Sequence, residues 1–573
     1  MDPRAELYKR RLGDAPYEIC IERARLVTGA YRRTEGQPPA TRAAKAFEQI
    51  VRHVTCSVLP EERIAGNRTS KVLGTVLPVE RGDVNVILEL ELDALLARPE
   101  RPFHIEPEDR RELVREILPW WRGRTLRERK NALLRRAGLV TLPALGPRAL
   151  IERRRALDLG RLGRVVTPPG ARPIAALRGL WGVLHNNPGL ATNVFDVQGH
   201  LILGHCNVLR KGFRGIREEA GRRLAEGRAT LDSEGRAFLD AVIRSTEAMR
   251  ELGHRMAEAC VRAASAAPEP GRRRELLDMA ARCRHLPWEP PESFVEAVQA
   301  LWLTQVGGLL AYGSPAILAA GRLDQHLVPY YLEDLRAGRI TEGEASGLLE
   351  ELLVKLGTNL MVLPHVGAQT GNELGSDSAA VTVGGLTPEG EDASNPLTFK
   401  ILEAFENVRS TGNSFAIRLS ERSKPELWRA ALATFRKTSG AALHNDDVLV
   451  LALQRAGYSI AAARSYGVVG CVEPAGDGDT FGCTSGNDVS LVAALEMALL
   501  DGRLRILGRR LGPRTGDPRC FRSFEELLRA FERQVAHLID RVVHAVSLKD
   551  RVYRETLPCP LVSSTLSGCV ERA

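Results

Sequence analysis

The chain has 573 residues, of which 44% are hydrophobic and 26% charged, the balance of a folded protein and not of a disordered or low-complexity one. Its net charge of +9 does not amount to a nucleic-acid signature, because glutamates are interleaved with the arginines between Arg122 and Arg164 and aromatics are only 5% of residues. The ten cysteines are scattered without a CxxC or a His/Cys set at zinc-ligand spacing, so neither a disulfide framework nor a metal centre is expected.

In chain order, the N-terminal "MDPRAELYKR" lacks the apolar core of a signal peptide, and no run of about 18 apolar residues is found. A cytoplasmic protein with no membrane contact is therefore the expectation. "PYEICIERARLVTGAYRR" and "TRAAKAFEQIVRHV" carry apolar residues at three- and four-residue spacing and predict helices, while "NVILELELDALL" suggests a strand near its first leucines. A Pro/Gly-rich connection, "VVTPPGARP", then separates this layer from the rest. Long helices are predicted over "EEAGRRLAEG", "GRAFLDAVIRSTEAMRELGHRMAEACVRAASAA", "SFVEAVQALWLTQVGGLLAYG" and "TEGEASGLLEELLVKLG", the last opened by a Thr341/Glu344 capping box. From there strands and helices alternate. "AAVTVGGL", "NSFAIRL", "GAALHN" and "SYGVVGCV" read as strands. "NPLTFKILEAFENV", "KPELWRAALATFRK", "DDVLVLALQRAG" and "VSLVAALEMALLDG" read as the helices between and after them. This alternation defines an α/β protein, either a sheet covered by helices or a closed barrel, in which catalytic groups sit on loops at strand ends.

One such strand end carries chemistry. In "YGVVGCVEPAGDG" the apolar Val468 and Val469 are followed by Gly470, Cys471 and, two residues on, Glu473. Three readings are open for this pair. Cys471 is a small core residue beside a capping glutamate; or it is a thiolate nucleophile, which needs a histidine or a helix N-terminus to lower its pKa. The third is a radical site: a thiol S–H bond is weak enough to be converted to a thiyl radical that takes hydrogen from a C–H bond, while the carboxylate moves the proton of a substrate hydroxyl.

The run "HNDDVLVLALQRAGYSIAAARSYGVVGCVEP" resembles the active-site region of the glycyl radical enzymes, the pyruvate formate-lyase-like family, whose dehydratase and lyase branches read Gly-Cys-Val-Glu-Pro at this loop. "APYEICIERARLVTGAYRRTEGQPPATRAAKAF", "PPESFVEAVQALW", "GRLDQHLVPYYLEDLRAGRITEGEA" and "VTVGGLTPEGEDASNPLT" resemble further family segments in the family's order. The resemblance implies one pyruvate formate-lyase-like domain over residues 1–573, with a helical layer to about residue 170. From about residue 171 a ten-stranded barrel of two half-barrels, wrapped in helices, would hold the cysteine loop at its centre. It further implies that Cys471 carries a thiyl radical and that Glu473 is the general acid/base of a lyase or dehydratase acting on a small hydroxylated or amino substrate. By the same resemblance no cofactor is bound directly, the expected partner is an S-adenosylmethionine-dependent iron–sulfur activating enzyme, and the assembly is a homodimer.

The sequence also departs from the family. Formate acetyltransferases use two adjacent cysteines, and here Val472 follows Cys471. Ala316 and Ile317 stand where glycerol dehydratase-like members carry a His-Ser pair, so that wall of the pocket is expected to be apolar. Thr484 and Ser485 resemble the loop of choline trimethylamine-lyase-like members, with Ser485 replacing an aspartate. His200, after Gly199, matches a family histidine that reaches the substrate, and Asp196 one turn earlier is a second candidate; both read equally well as surface loop residues. No Arg-Val-x-Gly-Tyr-type loop for the radical glycine occurs, and neither Gly470 nor Gly568 lies in that context. The expectation is a barrel incomplete at its C-terminus with the glycine radical domain absent, completed by a separate C-terminal chain or catalytically inert. Acetyl transfer and decarboxylation are the alternative reactions.

Overall fold

The computed structural model describes residues 1–99, 101–139, 192–194, 200–227, 230–313, 318–362, 379–409, 414–438, 440–470, 472–481, 487–504 and 509–573. The "VVTPPGARP" connection, and with it the expected boundary near residue 170, lies outside them.

The first layer is helical but not wholly so. Asp2 caps the helix Pro3–Asp14, its side chain accepting from the Arg4 and Ala5 amides. Tyr17–Ile19, expected to open a helix, is instead the central strand of a small parallel sheet, between Gly74–Thr75 and Phe103–His104. Tyr17 and Ile19 are both buried, so long-range pairing overrides the helical spacing, and the helix begins only at Glu22. The opposite correction applies to "NVILELELDALL". Asp83–Leu96 is one helix, because Val84, Leu88, Leu92 and Leu95 fall on a single buried face at helical period.

The helices His205–Glu226, Ser233–Ala266, Phe294–Tyr312 and Glu342–Gly357 form where expected, the last with its Thr341/Glu344 capping box. Against the expectation of no such run, the 19-residue Phe294–Tyr312 helix is long and apolar enough to cross a membrane; 83% of its most apolar 18-residue window is buried inside the fold, as in a core helix. One continuous apolar cluster runs through these helices and includes Tyr8 and Val570. The N-terminal layer is tied to it by Arg23, which pairs with Glu80 at 2.6 Å in a buried setting and donates to the Leu310 carbonyl at 2.8 Å.

The alternating segment folds as expected. Gly321–Arg322, Val381–Gly384, Phe415–Leu419 and Ala441–Asn445 are adjacent parallel strands, in that order. Pro396–Val408 and Pro425–Lys437 are the intervening helices. Val381, Val383, Phe415 and Ile417 enter the main core on one face. The other face carries Thr382, Ala416 and Arg418. Leu201–Ile202 pairs in parallel with Leu318–Ala319 in a second sheet, and the chain passes from there through Ala320 directly into Gly321–Arg322. These parallel strands, backed by helices, are the α/β architecture expected. Among the described residues they form arcs of four and two strands.

Candidate active site

The segment Tyr466–Gly478 is built into the angle between the two arcs. Gly467–Val469 and Glu473–Ala475 form a short antiparallel hairpin, with Val469 opposite Glu473. Val469 and Ala475 pack with Ile202, Ala319 and Ala380, which come from both arcs. The Val468 amide donates to Thr382 Oγ1 at 2.9 Å. At Gly467 a Cβ would stand 2.4 Å from Ile202 Cδ1, so a side chain there would push the hairpin off the sheet. The hairpin's two strands are thereby fixed to the sheets by buried packing and a backbone hydrogen bond.

At that tip Glu473 is held through both carboxylate oxygens. Oε1 lies 3.0 Å from His200 Nδ1, and Oε2 accepts the Val472 amide at 2.8 Å. A carboxylate accepts and does not donate, so Nδ1 carries the proton in this pair. Gly470 has φ +55°, and a Cβ on it would lie 2.4 Å from His200 Nδ1 and 2.6 Å from Glu473 Oε1. Glycine is required there twice, for the left-handed backbone and for the approach of the pair.

Two buried clusters clamp the hairpin's ends, and the sequence reading singled out neither. Before it, Arg418 and Asp446 form an ion pair at 2.7 Å with both side chains fully buried. Arg418 also donates to the Tyr466 and Arg464 carbonyls at 2.6 and 2.7 Å, and the Tyr466 hydroxyl donates to Asp446 at 2.7 Å. Beyond it, buried Asp477 accepts the Arg322 amide at 3.2 Å and lies 3.1 Å from His326 Nε2. Burial acts to raise the Asp477 pKa, but His326 and Arg322 outweigh it and hold the carboxyl below its ordinary value. Next to this cluster His205 is wholly buried, its Nε2 accepting from Gln305 Nε2 at 3.2 Å. Burial, with the nearby His326, depresses its pKa to about 3, so it is neutral. The detectable signals were the Asn-Asp helix start at Asn445 and Asp446 and the "GRLDQH" run, which supply Asp446, Arg322 and His326.

Of the candidates named from sequence, His200 and Glu473 are brought together. Cys471, Asp196, Thr484 and Ser485 lie outside the described residues, as do Gly199, Ala316 and Ile317. Cys471 is two positions from Glu473 in sequence. Among the described residues no three His, Cys, Asp or Glu side chains converge as a metal set.

A family model described as "Pyruvate formate lyase-like" matches residues 3–142 and 189–573. The chain belongs to this family, that of the glycyl radical enzymes. It is 32% identical to the isethionate sulfite-lyase of Oleidesulfovibrio alaskensis over 530 residues, covering 91% of this chain and 59% of that protein. It is 27% identical to the trans-4-hydroxy-L-proline dehydratase of Clostridioides difficile, covering 98% of this chain and 66% of the relative. The structure superposes on the crystal structure of a glycyl radical enzyme from Archaeoglobus fulgidus with a TM-score of 0.83 at 26% identity, over 99% of this chain and 67% of that one. The barrel wrapped in helices expected from the sequence is thus the fold observed. The chain spans about 60% of the length of the isethionate sulfite-lyases it matches.

Proposed function

We propose that this protein acts in a glycyl radical lyase or dehydratase, eliminating water or another group from a small hydroxylated or amino substrate. The observation that carries the reading is the carboxylate of Glu473, fixed through both oxygens at the hairpin tip and two residues from a thiol. The similar relatives are a sulfite-lyase and a dehydratase, which supports elimination over acetyl transfer.

A glycyl radical supplies a one-electron oxidising equivalent, and in this reading a separate S-adenosylmethionine-dependent iron–sulfur activase installs it. The residues of this chain do the rest. Cys471, as a thiyl radical, takes a hydrogen atom from the substrate carbon that bears the hydroxyl or amine; a C–H bond breaks and an S–H bond forms. Glu473 accepts the proton of the substrate hydroxyl as the group on the neighbouring carbon leaves with its bonding electrons, giving a carbonyl and a carbon radical. Cys471 returns the hydrogen atom to that radical, and the proton on Glu473 neutralises the leaving group. His200 orients the carboxylate from the side opposite Val472 and stabilises its charged form. Asp196, Thr484 and Ser485 are assigned to substrate binding, and the enzyme is placed in the cytoplasm as a homodimer.

The test is anaerobic turnover by the activated enzyme on small hydroxylated substrates that carry a leaving group on the adjacent carbon. Cys471→Ser should abolish turnover, since an O–H bond is too strong to shuttle hydrogen. Glu473→Gln should keep substrate binding and slow elimination by about 10²–10⁴-fold. Turnover by the serine variant would overturn the radical assignment, and an unaffected glutamine variant would make Glu473 structural.

A further inference from the structure

Arg81, two residues before the helix Asp83–Leu96, is 2% exposed, yet no carboxylate among the described residues pairs with it. Its Nη2 donates to the Tyr312 carbonyl at 2.6 Å, and the guanidinium lies over the Tyr312 ring at 4.1 Å from its centre. Its Nη1 is buried with no hydrogen-bond partner among the described residues. The adjacent Glu80 turns both oxygens to Arg23, Oε1 at 2.6 Å from Nη2 and Oε2 at 3.1 Å from Nη1. Glu80 and Asp83 therefore act on Arg81 only at longer range. A guanidinium cannot shed its proton, so burying one without a counter-ion is costly.

Arg81 lines a cavity of about 30 Å³, together with Arg23, Glu80, Tyr312, Tyr553 and Cys559. That volume admits a single water or a small ion and leaves no room for a nucleotide or other metabolite. Charge decides between the two. Burial raises the pKa of the Tyr31 and Tyr553 phenols and pushes the Cys559 thiol up to about 11, so these groups of the wall are neutral near pH 7. Arg23 and Glu80 cancel, which leaves the positive charge of Arg81. A water would satisfy Nη1 and leave that charge uncompensated in a buried setting. A monovalent anion does both.

We propose that this cavity is a binding site for a small monovalent anion of the halide class, held by Arg81 Nη1 and a phenol hydroxyl of the Tyr312 and Tyr553 pair. A phenol both accepts and donates, so these two tyrosines, bonded to each other, still have one O–H between them for the ion. The ion joins three parts of the chain that are distant in sequence. Arg81 belongs to the N-terminal layer, Tyr312 ends the core helix Phe294–Tyr312, and Tyr553 lies in the last turn of the helix Phe524–Thr556. Its role is cohesion of these layers, so the inference does not depend on the chemistry assigned to Cys471 and Glu473.

The test uses the full chain and bromide or chloride as the probe. Crystals grown in sodium bromide should show an anomalous peak at the bromine edge in contact with Arg81 Nη1. In solution, sodium chloride or bromide should raise the melting temperature above that in sodium gluconate of equal ionic strength, whose anion is too large to enter. The rise should saturate and reach about 2 °C or more. Arg81→Met keeps the length of the side chain and removes its charge, and should abolish both the peak and the halide-specific rise. The two measurements on the unaltered protein decide the proposal whether or not that variant folds. Water density at Arg81 without an anomalous signal, equal melting in halide and gluconate, or a halide-specific rise that survives Arg81→Met would each overturn it. A peak without the melting rise would mark an adventitious ion only and overturn it as well.

Discussion

Replacing Gly470 by alanine perturbs the site without touching a titratable group. An L-residue held at φ +55° costs about 1–2 kcal/mol relative to glycine. The new methyl would also stand 2.4 Å from His200 Nδ1 and 2.6 Å from Glu473 Oε1, where real carbon contacts do not occur. One partner must swing away, and the pair's hydrogen bond is lost. Both side chains are about four-fifths buried, at 22% and 21% exposure, so the full range for a bond to a charged group applies, about 1.5–3 kcal/mol. Together these should lower the opening free energy of the hairpin by about 2.5–5 kcal/mol. Read by hydrogen exchange of a peptide spanning residues 466–476, that is an acceleration of about 10²–10³-fold or more, while helices distant from the site keep their rates. The contrast with His200→Ala isolates the cause. In that background Glu473 can rotate away freely, so the alanine at 470 should cost only its backbone part, about 5–30-fold. Equal costs in the two backgrounds would refute the claim that the glycine exists to admit the His200–Glu473 pair.

Asp446→Asn should leave Arg418 buried with no opposing charge and cost about 3–5 kcal/mol, seen as a large fall in thermal stability with loss of protection in residues 464–469; a change within experimental error would show that the clamp is not a mechanical support. The folded-state pKa of His205, about 3, lies below its unfolded value, so its contribution to stability is present above about pH 6.5 and is lost as pH falls towards 3. About 2 kcal/mol should be gone by pH 5, and the lowered pKa of Asp477 adds a further loss at still lower pH. His205→Gln should flatten the dependence between pH 6.5 and 4 in urea titrations, and an unchanged slope would place the acid sensitivity elsewhere.

The elements legible in the sequence were those whose local pattern agrees with their tertiary burial. Pro396–Val408 begins at an Asn395 cap followed by proline and buries Leu397, Ile401, Leu402 and Phe405 at helical spacing, so pattern and fold coincide. Tyr17–Ile19 was not legible because three residues were recruited as the middle strand of a sheet whose other members lie more than fifty residues downstream. Asp83–Leu96 misled in the opposite direction, since "ILELEL" alternates at period two while its buried side chains repeat at helical period. Of the described cluster, Glu473 at its strand end and His200 were readable from motif. The clamps were only half signalled: the Asn-Asp helix start and the "GRLDQH" run mark Asp446, Arg322 and His326, but Arg418 and Asp477 look like ordinary surface charges until their strands are placed.

Those clamps explain why the motif sits where it does. A hairpin of three residues a side has too few hydrogen bonds to hold a carboxylate within a fraction of an ångström against thermal motion. Here the backbone is fixed three times over. Arg418 grips the Tyr466 carbonyl on entry, Thr382 takes the Val468 amide along the strand, and Asp477 is anchored to Arg322 on exit. Each anchor projects from a strand of the parallel arc or from its end, so the rigidity of the sheet is transmitted to the tip. His200 and the Val472 amide then hold the two oxygens of Glu473. The buried ion pairs thus fix the backbone on either side of Glu473 from positions that do not touch its carboxylate.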